Sequence, residues 1–424
     1  MLKYYNSWIL FTLALYHLGP IPWPNIGNHA ITGFVLLCLA GFNVGATIGS
    51  KLIIPPAARY RLFGSPSVRW SLAIIFVILS AFNTYSVTGK NIFDPTSYSL
   101  NFYEVYSGYQ DFLRERQTTT FENLLLLFKL ALMPAAYLLL VMSFRREMML
   151  FYFLIFPILA SSLARGTDKE TFDLVFYLVI LVYYHGLLKK RFLPIAGMII
   201  LVFMLFNLRK IARFEGIDLH CLPASKIVCF DFNNWISVNV SPGIEFLRIM
   251  FSNYLTQGYE GLAHAFGMPF EFTWGFGHML PVKQKICEIS GVLCEARTYM
   301  ERLPEYGWDT RFKWASAYTA IASDFHWTFV PFYTFVLGTI HGASEKAWRR
   351  SRDSLSLACL LLIALFIVYS SANMQLTVSL EWSFVYLTVL GWQIKRLLTA
   401  SSSSAAYSGP RNSYAVNGAM GGRQ

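Results

Sequence analysis

The sequence predicts an all-α, polytopic membrane protein. Only 14% of the 424 residues are charged, whereas soluble proteins carry about 25%. Apolar blocks of about twenty residues, the length that crosses a bilayer as a helix, recur along the chain. The short alternating segments of a transmembrane β-barrel are not found in it. We therefore expect a bundle of membrane-spanning helices.

About ten apolar blocks are long enough to be spans, and we number them in chain order. They cover about 4–19, 29–49, 68–87, 121–142, 147–163, 168–187, 191–208, 318–340, 354–372 and 376–394. The first block is followed by Gly-Pro and Pro-Trp-Pro and not by a small-residue cleavage site. It is therefore expected to be a span and not a signal peptide.

The short loops carry their basic residues on one side of the membrane. Basic clusters follow spans two, four, six, eight and ten, and they are Lys51 to Arg69, Arg145 and Arg146, Lys189 to Arg191, Lys346 to Arg352, and Lys395 and Arg396. By the positive-inside rule this side is cytoplasmic, and so are both termini. The rule also accounts for the net charge of +11. No nucleic-acid partner is expected, because no basic stripe or stacking motif accompanies the charge.

Four segments follow from this topology. Residues 1–208 form an N-terminal transmembrane bundle of spans one to seven, and 209–317 form a large polar loop on the outer face. Residues 318–396 carry spans eight to ten. Residues 397–424 are rich in Ser, Gly and Asn, and we expect a disordered cytoplasmic tail because they cannot bury a core.

The large loop holds four of the six cysteines. Cys221 and Cys229 are close in sequence, and so are Cys287 and Cys294. Two local disulfides are expected on an oxidising outer side, with four reduced thiols as the alternative. No Cys and His spacing suits zinc.

A helix is predicted inside the loop from Ser241 and Pro242, a typical helix start. Apolar residues then recur at helical spacing, at Ile244, Leu247, Phe251, Tyr254, Leu255, Leu262 and Phe266. The other face carries Glu245, Arg248, Ser252, Gln257, Glu260 and His264. This pattern predicts an amphipathic helix on the membrane surface or capping the bundle, or else a helix of a small soluble domain.

Two groups of arginines are candidate anion sites. Arg165 ends a Ser-rich turn beside Gly166, where its planar guanidinium can hold two phosphate oxygens. Arg209 and Arg213 are four residues apart, so they share one helix face at the start of the loop. The alternatives are a solvated turn for Arg165 and snorkelling side chains for the other pair.

Ionisable residues also fall inside predicted spans. Asp324 and His326 lie one to two turns below the outer surface in span eight, where charged groups usually face a cavity or a partner. A partly desolvated carboxylate there can act as a general base toward a sugar hydroxyl. Lys129 in span four is a further buried charge, expected to pair with Asp173.

The order of these features resembles the Wzy-type oligosaccharide repeat-unit (O-antigen) polymerases. The resemblance is carried by the Ser-rich turn ending Arg165-Gly166, then Tyr254 to Gly261, Thr273 to Gly277, Trp314 to Ala320, and Asp324-Phe325. It covers roughly residues 120 to 395, mostly as pattern and topology. One position departs from it, because the polymerases usually read Asp-Phe-Gly where this chain has His326.

The resemblance implies a GT-C-like helical architecture in the bacterial inner membrane, active at the periplasmic face. It implies a glycosyltransferase that takes a polyprenyl-diphosphate-linked oligosaccharide as both donor and acceptor, without a metal or another cofactor. Partners besides the bilayer would be a chain-length regulator and a flippase. The catalytic candidates are Asp324, Glu260 and His326, and the diphosphate candidates are Arg165, Arg209 and Arg213. The glycan candidates are Tyr254, Tyr259, Trp274, His278, Arg311, Trp314 and Tyr318, with Trp308 as a further stacking residue.

Three other functions stay open at this point. An O-antigen ligase shares the architecture and the lipid carrier. A polysaccharide flippase or transporter is a second alternative, although the hydrophobic pattern shows no internal repeat. A structural membrane subunit without chemistry is the third, and the ionisable residues at the outer face make it the weakest.

Overall fold

Helices make up most of the part of the chain that the computed structural model describes, and loops and turns make up the rest. This part leaves out residue 26, 55–63, 99–104, 106–107, 110–118, 168, 215–232, 234, 240–241, 293, 311–312, 373 and 407–424. No strand is found among the described residues. The prediction of an all-α protein is therefore confirmed.

Fifteen helices of the described residues are numbered here in chain order. The first seven are α1 Leu2–Leu18, α2 His29–Gly49, α3 Pro66–Thr88, α4 Thr120–Ser143, α5 Met148–Ala164, α6 Lys169–Tyr184 and α7 Phe192–Phe214. The other eight are α8 Trp235–Asn239, α9 Pro242–Phe266, α10 Leu280–Ser290, α11 Tyr299–Arg302, α12 Ala317–Ser351, α13 Ser354–Val368, α14 Gln375–Val378 and α15 Leu380–Ala406. Short 3-10 turns lie at Pro95–Ser97, Gly277–Met279 and Leu303–Tyr306.

Several helices suit a membrane interior. Among the described residues, α2, α3 and α4 are long and apolar enough to cross a bilayer. Shorter apolar helices are α5, α13 and the segment Phe192–Val202 of α7. These helices indicate a membrane-embedded protein. The count of about ten spans stays a prediction.

Helix α2 and the second half of α12 pack backbone to backbone along a ladder of glycines. A Cβ added at Gly45 would lie 2.0 Å from the carbonyl oxygen of Phe335, and one at Gly49 would lie 2.0 Å from that of Thr339. From the other side, a Cβ at Gly338 would lie 2.0 Å from the carbonyl oxygen of Phe42. Only glycine leaves room for this approach, which is typical of helix pairs in membranes.

Helix α12 is interrupted near its outer end. It begins at Ser316, whose hydroxyl accepts the N–H of Thr319, and its backbone breaks at His326, where φ is 58° and ψ is 159°. Almost only glycine adopts this conformation without strain. Predicted span eight is therefore two helical pieces, Ala317 to Phe325 and Trp327 to Ser351. Non-helical backbone at membrane depth is tolerated where it is buried in protein or lines a cavity.

Helix α9 is buried inside the fold, which corrects the predicted surface helix. It contacts α1 and α12. Residues of both expected faces are buried, since Glu245, Gln257 and Glu260 are at most 1% exposed and Leu262 is 0% exposed. The helix itself was predicted correctly. Its polar face does not meet water, because Glu260 finds hydrogen-bond partners in Tyr16 and Asn25, and Glu245 pairs with Arg248.

The C-terminal boundary also differs from the prediction. Helix α15 continues to Ala406, so the expected disordered tail from residue 397 is wrong for its first residues. Leu397 packs against Ile54, Ala343 and Ala347, which stabilises this extra length. The rest of the predicted tail lies outside the described residues.

One of the two expected disulfides is present. Cys287 in α10 bonds to Cys294, just after the left-handed Gly291 that ends the helix. Cys221 and Cys229 lie outside the described residues. Cys38 and Cys359 are buried free thiols.

Candidate functional site

A tight turn brings the loop down onto the broken helix α12. Trp274 and Gly275 both have positive φ values, 57° and 82°, and the N–H of Phe276 donates to the carbonyl of Thr273 at 3.0 Å. Two successive positive φ values define a type I′ turn. The turn leads directly into the 3-10 turn Gly277–Met279, and the N–H groups of Gly277 and His278 point at α12.

The carboxylate of Asp324 receives four hydrogen bonds from this segment. The N–H of Gly277 donates to Oδ1 at 2.7 Å, and the N–H of His278 donates to Oδ2 at 3.0 Å. The hydroxyl of Thr273 donates to Oδ1 at 2.5 Å, and Nδ1 of His278 donates to Oδ2. The Thr273 oxygen also lies 2.8 Å from the carbonyl of Ser323. The hydroxyl of Thr273 has one proton to donate. Asp324 receives it, because a hydrogen bond to a charged acceptor is stronger than one to a neutral carbonyl.

Gly277 makes this approach possible. A Cβ at this position would lie 2.3 Å from Oγ1 of Thr273 and 2.5 Å from Cβ of Ser323. It would also lie 3.0 Å from Oδ1 of Asp324. A side chain of any size would push the turn away from α12, so the last glycine of the Thr273-to-Gly277 motif is required by packing.

This geometry favours a different role for Asp324 from the general base expected from the sequence. A carboxylate has about four lone-pair positions, and all four are occupied here. A general base needs a free lone pair within reach of the proton it removes. Asp324 instead fixes the ring of His278.

His326 does not join the Asp324 cluster. Its ring lies edge-on against Phe270, with 5.3 Å between centroids, and its Nδ1 is 3.2 Å from the hydroxyl of Thr328. The side chain is half-buried, and its backbone holds the break in α12. The glycine of the resembling pattern would suit this backbone better, and the catalytic role stays a prediction.

Glu260 is fully buried in a separate network. Its carboxylate accepts from the hydroxyl of Tyr16 at 2.8 Å and from the side-chain amide of Asn25 at 2.8 Å. Nε2 of His264 lies 3.4 Å away on the same helix. The side chain is 0% exposed. We assign it to holding α9 against α1 and the turn after α1, since no face is open to a substrate.

Arg165 lines a small cavity between α3, α4, α5 and α15. Its guanidinium pairs with Glu170 at 2.5 Å. The same cavity is lined by Lys129 and Glu381, which pair at 2.5 Å. The expected pairing of Lys129 with Asp173 is therefore wrong, because Glu381 at the start of α15 reaches the ammonium. Two cations thus meet in one cavity, each held by a carboxylate.

The structure does not describe the side chains of the two remaining diphosphate candidates. Arg209 and Arg213 lie in the last turns of α7, which continues past the predicted boundary at residue 208. Their side chains are outside the described part of the chain, and so is Arg311. Within the described residues, no group of three or more His, Cys, Asp or Glu side chains could hold a metal ion.

The glycan candidates separate into exposed and buried residues. Trp274 is 67% exposed beside Phe272, with 5.4 Å between ring centroids. Tyr259 and Tyr318 are buried in the core, and the hydroxyl of Tyr259 is bonded to Thr12. Their expected contact with a glycan is therefore not possible in this structure.

Trp308 and the Tyr254–Trp314 pair sit deeper than expected. Trp308 is buried under Lys313, whose ammonium lies 4.5 Å from the ring centroid, and burial lowers the pKa of Lys313. Trp308 is therefore covered and cannot stack on a sugar. Tyr254 packs against Trp314 with 5.0 Å between centroids, and both rings are half-buried.

Sequence reasoning missed three groups that the structure assembles. Thr273 was seen only as part of a motif, and no local signal pairs it with Asp324. Glu381 was overlooked, although an acidic residue opening an apolar span is such a signal. The glycines at four-residue spacing, Gly41, Gly45 and Gly49, are a recognisable helix-packing pattern.

Comparisons with protein-family models, with curated proteins and with solved structures found no significant match to this chain. The class defined by fold and site is thus a helical membrane-embedded protein with a buried aspartate–histidine pair.

Proposed function

We propose that the chain is a membrane glycosyltransferase that polymerises polyprenyl-diphosphate-linked oligosaccharide repeat units. The observation that carries this proposal is the Asp324–His278 pair, set where a polar loop meets a broken, apolar helix. A lipid-linked sugar presents its reacting groups at this kind of junction, with the polyprenyl chain in the bilayer and the glycan in water.

Aromatic side chains exposed beside the pair suit the glycan. The ring of Phe325 lies 6.2 Å from that of His278, and the exposed aromatics nearby in sequence are Phe270, Phe272 and Trp274. Aromatic faces provide apolar contact area for the C–H face of a sugar ring. Trp274 is the most exposed of them and is the leading stacking candidate.

The cavity with Arg165 and Lys129 suits the leaving diphosphate. Glu381 lies at the start of α15, close in sequence to α14, and α14 also contacts the turn Gly277–Met279. The cations and the Asp324–His278 pair therefore lie toward one end of the bundle. A diphosphate entering this cavity would replace the carboxylates of Glu170 and Glu381 as the partner of the two cations.

Contacts at the opposite end support the predicted topology. The ammonium of Lys346 donates to the carbonyl of Lys51, which brings the loops after spans two and eight together. Arg352 donates to the carbonyl of Tyr184, near the loop after span six. These basic clusters were assigned to the cytoplasmic side. The Cys287–Cys294 disulfide supports an oxidising compartment for the other side.

Ten spans with both termini in the cytoplasm are part of the proposal, and thiol labelling tests them. An impermeant maleimide added to intact cells should label Glu305→Cys and not Ser351→Cys, with the wild-type chain as background. Both should be labelled after permeabilisation. Labelling of Ser351→Cys in intact cells would contradict the orientation.

A strain lacking the protein tests the activity. Loss of a polymerase should leave surface lipid carrying a single repeat unit, visible on a gel as one band above the bare core. Bare core alone would favour an O-antigen ligase, and absence of any exported repeat would favour a flippase. An unchanged surface polymer would contradict all three functions.

A further inference from the structure

We infer that His278 is the general base that activates the acceptor hydroxyl, and that Asp324 is the residue that positions it. The inference rests on the proposed function and assigns the proton transfer within it. His278 was expected from the sequence only to contact the glycan.

The hydrogen bonds fix the tautomer of the His278 ring. Nδ1 lies against Oδ2 of Asp324, whose other lone pairs are filled by two N–H groups and a hydroxyl. The shared proton therefore belongs to Nδ1 of the imidazole. Nε2 then carries a free lone pair and points away from the carboxylate, which is the form that accepts a proton.

Nε2 is also the atom that a substrate can reach. The side chain of His278 is 10% exposed. No hydrogen bond to Nε2 is found among the described residues, and this atom is not one of the buried atoms without a partner. It therefore reaches the molecular surface at the end of the ring that faces away from Asp324. The carboxylate of Asp324, by contrast, is 1% exposed.

The backbone holds the ring still as well as oriented. The N–H of His278 donates to the same carboxylate oxygen as its own ring, so backbone and side chain are tied to one atom. The adjacent Ser323 accepts the N–H of Tyr299 at 3.1 Å, which ties α11 to the same point. Such fixed positioning of a base is what proton transfer in a transition state needs.

The step balances without a further reactant. Nε2 of His278 takes the proton of the acceptor hydroxyl as its oxygen forms a bond to the anomeric carbon of the donor. The bond from that carbon to the diphosphate oxygen breaks, and polyprenyl diphosphate leaves with the electron pair. The imidazolium then returns its proton to water.

Substitutions at His278 test the assignment in the full-length protein. The substrate is lipid-linked oligosaccharide extracted from the deletion strain. His278→Asn keeps a side-chain N–H near the position of Nδ1 and removes Nε2, so the protein should melt at its usual temperature and lose roughly 100-fold or more in transfer rate. His264→Asn, at a second histidine beside a buried carboxylate, is the matched control and should keep its rate.

Chemical rescue by imidazole distinguishes a general base from a residue that is needed only for the structure. His278→Gly leaves space for imidazole, and added imidazole should raise its transfer rate at least tenfold. Asp324→Asn should lower kcat and leave KM for the lipid-linked acceptor unchanged. In the wild-type protein, diethylpyrocarbonate should modify His278 in step with loss of activity, a measurement that needs no folded variant.

Four outcomes would contradict the role of His278 as the general base. Transfer by His278→Asn within tenfold of wild type would overturn the inference and leave the proposed function standing. So would full activity after complete modification of His278, or a folded His278→Gly that imidazole does not rescue. Wild-type protein that transfers nothing would overturn the proposed function and this inference with it.

Discussion

Gly277→Ala tests the geometry of the site without touching a charged or reactive group. The new Cβ would lie 2.3 Å from Oγ1 of Thr273 and 2.5 Å from Cβ of Ser323, whereas ordinary contacts are 3.4 Å or longer. The turn must therefore retreat by about 1 Å, and the 2.7 Å bond from the Gly277 N–H to Asp324 is lost.

The expected loss of stability of Gly277→Ala follows from the steric overlap and the lost hydrogen bond. A hydrogen bond to a charged group contributes about 1.5 to 3 kcal/mol, and overpacking costs about 1 to 3 kcal/mol. Together they predict a loss of about 3 kcal/mol or more, which lowers the melting temperature of a protein of this size by about 3 °C or more. A displacement of about 1 Å at a catalytic group also lowers the transfer rate by about 100-fold.

Gly267→Ala is the matched control. Gly267 follows α9, and a Cβ there would have no heavy atom within 4 Å. The assay is thermal unfolding in detergent, followed by transfer of lipid-linked oligosaccharide at matched protein concentration. If Gly277→Ala and Gly267→Ala behave alike in both, the close packing of the turn on α12 is not needed and the description of the site is wrong.

Three further predictions concern packing and charge. Gly45→Ala should lower the melting temperature, since its Cβ would meet the Phe335 carbonyl at 2.0 Å, whereas Gly33→Ala on the same helix meets nothing within 4 Å; equal melting temperatures would contradict the ladder. His326→Gly should stabilise the fold by relieving a backbone strain of about 1 to 3 kcal/mol, and the variant should keep its activity. Loss of activity in a stable protein would instead support the catalytic role that the sequence predicted for His326. Lys129→Met should lower the free energy of unfolding by on the order of 3 kcal/mol, because the carboxylate of Glu381 loses its partner. The double variant Lys129→Met with Glu381→Leu should recover most of this stability. An unstable double variant would show that the pair does more than neutralise charge.

The helices could be predicted from the sequence because their signals are local. Apolar blocks of bilayer length and basic clusters in every second loop are visible residue by residue, and nearly every predicted span is helical in the structure. The break at His326 could not be predicted, because a histidine gives no local reason for a positive φ. Only the glycine expected at that position hinted at it.

The residues of the candidate site could be predicted from the sequence, but their contacts with one another could not. Asp324 and the Thr273-to-Gly277 motif were both identified, but about fifty residues separate them, and no spacing rule pairs them. The same holds for Lys129, whose partner Glu381 is 252 residues away. The burial of both faces of α9 was also beyond a periodicity argument, because periodicity separates a polar from an apolar face without saying what each one contacts.

Reconstitution of the purified protein in liposomes tests the central claim most directly. The liposomes contain polyprenyl-diphosphate-linked oligosaccharide as the only substrate, with the His278→Asn protein in a parallel sample. The account predicts a ladder of products that differ by one repeat unit, with release of polyprenyl diphosphate, from the wild-type protein and no ladder from His278→Asn. Substrate that stays at a single repeat unit with the wild-type protein would contradict it.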